Sequence, residues 1–185
     1  VGEGAVDFGP VYLPMILAAF GIVVSIAGTY FVRTKEGADP HVALNIGTFT
    51  AAGLMIVATY FLTNRFIPAG GVVLSSGETF TALGVFLSVV GGLVAGTLIG
   101  MITEYYTSDH RKPVHGIADA SVTGPATNII AGLGVGMRST AIPILLLGGA
   151  ILVAYHFAGL YGIALAGLGM LSPTGIQLAV DAYGP

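Results

Sequence analysis

The chain has 185 residues, no cysteine and a formal net charge of −3, and 55% of its residues are hydrophobic. The lack of cysteine excludes a disulfide framework and a thiolate metal site, and the slight acidity gives no support for binding to nucleic acid. Only 8% of the residues are charged, and the mean hydropathy is +0.91. Because the helices of soluble proteins carry a polar face, this composition favours a membrane protein.

Long apolar stretches predict the transmembrane helices in chain order. A helix rises ~1.5 Å per residue, so about 20 residues cross a hydrocarbon core of ~30 Å. The few charged residues lie almost entirely between such stretches, which cover residues 11–32, 41–62, 79–103, 125–157 and 160–182. We therefore predict an all-α, polytopic membrane helical bundle of about five transmembrane helices, with residues 1–185 forming a single membrane domain.

The distribution of cations predicts the orientation of these helices. Lysine and arginine concentrate in cytoplasmic loops. Four cations follow the first and third spans, whereas the loops on the opposite side contain only Arg65; the four are Arg33, Lys35, Arg111 and Lys112. The N-terminus is therefore expected outside the membrane and the C-terminus in the cytoplasm, with the Gly-rich residues 68–77 as an outer loop.

Glycines and prolines add predictions about packing and helix ends. Gly92, Gly96 and Gly100 lie four residues apart, so they line one face of the third span and allow a neighbouring helix to approach closely. Residues 132–136 (GLGVG) do not follow a strand, so they lack the context of a nucleotide-binding loop. Pro125 is predicted to open the fourth helix.

The histidines lack the spacing that is typical of metal ligands. His110 and His115 are five residues apart in a segment that we predict to be a loop, interrupted by Pro113. His156 stands near the outer end of the fourth span without a second ligand at a typical metal spacing. These histidines do not predict a metal site.

Two acids at the inner ends of predicted spans are candidate functional residues. Asp181 follows the apolar run of the last span, and Glu104 ends the third span beside Tyr105 and Tyr106. A carboxylate at such a depth is costly unless it faces protein, water or a cation. Solvated helix ends, with the tyrosines as interfacial anchors, are the alternative for both acids.

Five segments of the chain form a specific pattern. They are residues 33–39 (RTKEGAD), 103–108 (TEYYTS), 123–129 (TGPATNI), 161–172 (YGIALAGLGMLS) and 175–185 (GIQLAVDAYGP). In this order and spacing they resemble the central part of a membrane-bound, ion-translocating (proton or sodium) inorganic pyrophosphatase, and the resemblance extends along essentially the whole chain.

The resemblance implies an enzyme of which this chain is one part. Members of the family have about sixteen spans, all helical because a helix pairs its own backbone groups in lipid; they hydrolyse pyrophosphate and pump protons or sodium ions. The implied cofactor is Mg²⁺, bound mainly by residues outside this chain, with K⁺ as an activator in part of the family. The implied partners are pyrophosphate, the transported ion, the lipid bilayer and a second copy in a homodimer. This stretch alone is expected to be catalytically incomplete, and a prokaryotic source would place it in the cell membrane.

The resemblance also assigns roles to the two acids. Asp181 would lie below the hydrolytic site, at the entrance to the ion path, and would couple hydrolysis to ion movement. Glu104 would be an ion-pathway or structural acid on the cytoplasmic side of the outer helices. The first four spans would be mostly outer-ring scaffold, and the last span would belong to the inner ring.

Two other classes of function remain open from the sequence. The five spans could form a passive transporter or channel subunit, although their midspan hydroxyls can bond back to their own helices. A non-enzymatic membrane assembly protein would also suit the packing glycines. The sequence before Val1 and beyond Pro185 would discriminate between these alternatives, because further acidic, Gly-rich spans favour the pump.

Overall fold

The computed structural model describes residues 8–30, 32, 40–68, 70–73 and 79–176, with the backbone alone for residues 40–44 and 72. The helices are α1 (Gly9–Thr29), α2 (Pro40–Phe66), α3 (Ala82–Thr107), α4 (Lys112–Ser121) and α5 (Pro125–Leu171). Two short strands, β1 (Val72–Val73) and β2 (Thr79–Phe80), precede α3. Four helices in these ranges are long and apolar enough to cross a membrane. The prediction of an all-α, polytopic membrane fold is confirmed.

The chain divides into two compact units, one of residues 1–93 with 151–185 and the other of residues 94–150. In the first unit α1 packs along α2, and the start of α3 packs against the second half of α5. Its core consists of fully buried apolar side chains from all four helices, among them Leu13, Leu17, Met55, Val85, Val89, Leu93 and Leu165.

Helix α5 contains a sharp reversal at Ala158 and Gly159, whose backbone angles are not helical. Gly159 has φ 55° and ψ −146°, a region that is essentially open to glycine alone. Along α3, Gly84 contacts Phe157 and Gly91 contacts Val153, so the contacted residue numbers in α5 fall. Ser88 contacts Gly162 and Gly92 contacts Ala166, so on this face the contacted residue numbers rise. We call residues 125–157 the first arm of α5 and residues 160–171 the second arm. Beside the reversal, the end of the first arm (residues 151–157) therefore runs antiparallel to the start of α3, and the second arm runs parallel to it. How many times the chain crosses the bilayer stays a prediction.

Glycine contacts set the distance between neighbouring helices of the first unit. A Cβ added to Gly92 would collide with the backbone carbonyl of Ala166, and one added to Gly169 would collide with the carbonyl of Val89. Such contacts bring the two backbones together without a side chain between them. The predicted packing role of Gly92 is therefore visible in the structure, on the face that meets the second arm of α5.

One prediction about local structure is wrong. The segment with His115 is helical (α4), because Pro113 lies in the first turn of the helix, where proline starts a helix and does not interrupt it. The helix in the third predicted span begins at Ala82, since Thr79 and Phe80 pair with Val73 and Val72 in an antiparallel hairpin; the bounds of the span in the membrane stay a prediction. Pro125 opens α5 as predicted, and the GLGVG segment is helical.

Candidate functional site

Of the two candidate acids from the sequence, the structure describes Glu104. Asp181 lies outside the described residues, so its predicted role stays a prediction. Glu104 is half-buried in the last turns of α3. Its backbone carbonyl accepts a hydrogen bond from the Ser108 N–H at 2.8 Å, which closes the C-terminal turn of the helix.

Aromatic and charged groups surround the end of α3. The rings of Tyr105 and Tyr106 meet edge to face at 5.3 Å between centroids, and the guanidinium carbon of Arg111 lies 5.8 Å from the centre of the Tyr105 ring. Cation–π contacts of this kind contribute roughly 0.5–1 kcal/mol at exposed positions. The exposed pair His110–Asp109, at 3.5 Å, adds little, since both side chains are about three-quarters exposed. Tyrosines beside a cation at a helix end are typical of a membrane–water interface.

A set of hydrogen bonds between helices marks the first unit, and each uses a side-chain hydroxyl and a backbone carbonyl. Tyr161 donates from its hydroxyl to the carbonyl of Pro10 at 2.7 Å. In a regular helix the residue at position 14 would donate its N–H to that carbonyl, but Pro14 has none. An unpaired carbonyl is costly in lipid, so Tyr161 supplies the missing donor and ties the second arm of α5 to α1.

Ser88 makes the corresponding bond beside the reversal of α5. It is fully buried, and its hydroxyl lies 2.9 Å from the carbonyl of Gly84 in its own helix and 3.3 Å from the carbonyl of Ala154. Ala154 is one turn before the non-helical residues. The hydroxyl therefore joins α3 to the last turn of the first arm.

Ser25 makes a third such bond where the second arm of α5 ends. Its hydroxyl donates to the carbonyl of Ser172 at 2.9 Å, and the Ser25 side chain is 5% exposed. The helix is interrupted at Ser172 and Pro173, and one further helical turn, residues 174–176, follows. Interrupted helices at membrane depth are tolerated where neighbouring groups satisfy the freed backbone, and Ser25 does so here.

The interruption borders a cleft of about 410 Å³ between α1 and the C-terminal part of the described chain. Its walls are mainly apolar, and both of them carry hydroxyl groups, from Ser25 and Thr29 of α1 and from Ser172 and Thr174 of the C-terminal part. Sequence reasoning did not find this region. The signal that could have found it is Pro173 in the middle of a predicted span, since a proline leaves a carbonyl one turn earlier without its usual donor.

The donor groups that the structure describes do not suit Mg²⁺. Octahedral Mg²⁺ sites draw on carboxylates and substrate oxygens. The acids among the described residues are Glu104, Asp109 and Asp119, and no group of three His, Cys, Asp or Glu side chains comes together in these parts of the chain. The described residues therefore do not form a Mg²⁺ site.

Comparison with known proteins gives the family. The family model for inorganic H⁺ pyrophosphatase matches residues 4–185. A relative from Clostridium tetani, whose name describes a K⁺-stimulated pyrophosphate-energized sodium pump, is 45% identical over 183 residues, covering 95% of this chain and 25% of the relative. A K⁺-insensitive pyrophosphate-energized proton pump from Caldanaerobacter subterraneus is 40% identical over 186 residues, covering 95% of this chain and 26% of the relative.

A shorter relative is matched over most of its own length. The protein named pyrophosphate-energized proton pump 2 from Mycoplana dimorpha is 38% identical over 172 residues, covering 93% of this chain and 83% of the relative. By contrast, the chain spans about a quarter of the length of the Clostridium and Caldanaerobacter proteins.

The apolar helices, joined through glycine contacts and hydroxyl-to-carbonyl bonds, define a polytopic membrane protein. Within that class the chain belongs to the inorganic H⁺ pyrophosphatase family, since the family model covers nearly all of its residues.

Proposed function

We propose that this chain is the central part of a membrane pump that hydrolyses pyrophosphate and uses the released free energy to move protons or sodium ions. The observation that carries the proposal is the match to the family over residues 4–185, supported by relatives named as proton pumps and as a sodium pump. The whole pump would bind pyrophosphate, Mg²⁺ and, in a K⁺-stimulated member, K⁺, and would work as a homodimer. Most of this chain would be outer-ring scaffold, and its last span would belong to the inner ring of helices.

The proposal includes an orientation, with the N-terminus outside and the C-terminus cytoplasmic. The excess of cations after the first and third spans supports it. The direction of the helices in the first unit is consistent with it, because the second arm of α5 runs parallel to the start of α3. Both would then end on the cytoplasmic side, where Asp181 and the end of α3 are expected.

Sealed membrane vesicles containing the complete gene product test the function. We expect addition of Mg²⁺ and pyrophosphate to release phosphate and, at the same time, to acidify the vesicle lumen or to load it with sodium. Phosphate release that a sodium or proton ionophore stimulates would show that the two processes are coupled. A protein that transports ions equally well without pyrophosphate would instead be a passive transporter, and the proposal would be wrong.

Glu104 is proposed to be a structural or ion-pathway acid at the end of α3 and not a metal ligand. We expect Glu104→Gln in the complete protein to reduce the yield of assembled protein or the ions moved per pyrophosphate. The Mg²⁺ concentration for half-maximal hydrolysis should stay within about twofold, since removal of a true carboxylate ligand would change metal affinity by far more.

Asp109→Asn is the matched control for Glu104→Gln. Asp109 is an acid five residues further on, and its side chain is about three-quarters exposed beside His110. Its replacement should change neither assembly nor coupling, because exposed pairs contribute little. A selective loss of Mg²⁺ affinity in Glu104→Gln would contradict the proposed role.

A further inference from the structure

The interruption of the last span at Ser172 and Pro173 is held by α1. In a regular helix the Ile176 N–H would bond to the carbonyl of Ser172, but it bonds to the carbonyl of Pro173 at 3.1 Å. The Ser172 carbonyl instead accepts the hydroxyl of Ser25 at 2.9 Å. The Ser172 hydroxyl bonds within its own helix, to the carbonyl of Leu168 at 2.9 Å. Ser25 therefore supplies a donor from a different helix to the carbonyl at the interruption.

The contact between α1 and the turn after the interruption is close. A Cβ on Gly175 would lie 2.7 Å from the Cβ of Ser25 and 3.0 Å from its hydroxyl oxygen. One turn further along α1, a Cβ on Gly28 would collide with the side chain of Ile176, which is 1% exposed. The turn of residues 174–176 thus packs directly on α1, through Gly175 at Ser25 and through Ile176 at Gly28.

The interruption also has open space beside it. The cleft of about 410 Å³ is lined by Leu168, Leu171, Ser172 and Thr174 from the last span and by Ile22 and Ile26 from α1. Packing on that side does not fix the direction of the chain after Pro173. On the other side, the described residues restrain the turn through the Ser25 hydrogen bond, the Gly175 contact and the burial of Pro173 and Ile176. The Ser25 bond is the one of these that acts on the carbonyl at the interruption itself.

We propose that Ser25 is a positioning residue of the pump. By bonding the carbonyl of Ser172, it fixes the direction of residues 174–176, which lead in the sequence to Asp181, eight residues after Pro173. The inference rests on the proposed function, in which Asp181 couples hydrolysis to ion movement. A change of direction at residues 174–176 is passed to the part of the chain that follows them. We therefore expect loss of this bond to change the place of the coupling acid more than it changes the site of hydrolysis.

The test measures phosphate release and ion transport together in vesicles of the complete protein. In Ser25→Ala we expect the ions moved per pyrophosphate to fall about fivefold, the change that loss of one neutral hydrogen bond produces in an equilibrium between two positions. The KM for pyrophosphate should not change. Gly175→Ala should give the same loss of coupling. Its added Cβ would push the Ser25 side chain out of place while the hydroxyl is still present.

Two controls separate positioning from general packing. In Gly21→Ala the added Cβ would lie 3.5 Å from the Cα of Ser172, an ordinary contact, so coupling should stay at the wild-type value. Ser88→Ala also removes a buried hydroxyl that bonds a carbonyl of another helical segment. It should lower the melting temperature about as much as Ser25→Ala does and leave the coupling ratio unchanged.

Three results would overturn the inference. Wild-type coupling in Ser25→Ala would show that the hydroxyl does not position the acid. An equal loss of coupling in Ser88→Ala would show that any buried hydroxyl has this effect. If the wild-type protein did not hydrolyse pyrophosphate at all, both the proposed function and the inference would be wrong. If Ser25→Ala hydrolysed pyrophosphate normally and its coupling were unaltered, only the inference would be wrong.

Discussion

Replacing Gly92 by alanine is expected to destabilise the folded protein by about 3 kcal/mol or more. The new Cβ would occupy the position of the Ala166 carbonyl, and the nearest atoms are backbone atoms of the second arm of α5. A flexible side chain could turn away from such a contact, but a helix backbone has to shift as a whole. The measurement is the melting temperature of the purified complete protein in detergent, together with the fraction that elutes as folded protein.

Two other glycines provide matched controls for Gly92. A Cβ on Gly91 would meet only the side chain of Val153, at 3.6 Å, and a Cβ on Gly167 has no atom within 4 Å. Alanine at Gly167 should be neutral or stabilising, because alanine favours a helix over glycine by about 1 kcal/mol. If Gly92→Ala melted at the same temperature as Gly167→Ala, the close approach of α3 and α5 would be wrong.

Replacing Asp181 by asparagine in the complete protein is expected to abolish ion transport, with a fall of about a hundredfold or more. Asparagine keeps the size of the side chain but can neither carry a negative charge nor release a proton. If Asp181 couples the two processes, phosphate release should continue while the vesicle lumen gains no ions. The measurement is the simultaneous record of phosphate and of lumenal pH or sodium.

Asp181→Glu tests whether the carboxylate itself is required. Glutamate keeps the charge and moves it by one methylene group, so we expect partial transport. Unchanged hydrolysis and unchanged pumping in Asp181→Asn would refute the role of this acid. Loss of Mg²⁺ binding without a separate effect on transport would place the acid in the hydrolytic site.

The helices could be predicted from the sequence because their composition is so apolar. For the same reason, the side of each helix that contacts a neighbouring helix could not be predicted. The stretches around α1, α2 and α3 contain almost no charge, so their approximate bounds follow from hydropathy and length alone. A helix that is apolar on every side does not indicate which side faces a neighbour. The Ser25 contact with Ser172 therefore could not be predicted from the sequence.

Helix α4 shows a second limit of sequence reasoning. Its residues include Pro113 and Gly116, both poor helix formers in a helix interior. The proline lies in the first turn, where its missing N–H is not needed, and the half-buried Val114, Ile117 and Ala120 share one side of the helix. Position within the helix, and not composition, decided the structure of this segment.

The reversal in α5 has a consequence for how the protein is built into lipid. Without it, the 47 residues from Pro125 to Leu171 would form a rod of roughly 70 Å, more than twice the thickness of a bilayer core. The non-helical backbone at Ala158 and Gly159 divides this length into two arms, and Gly159 provides the angles that the turn requires. A single substitution at Gly159 would therefore disturb the turn and, with it, the direction of the residues that follow.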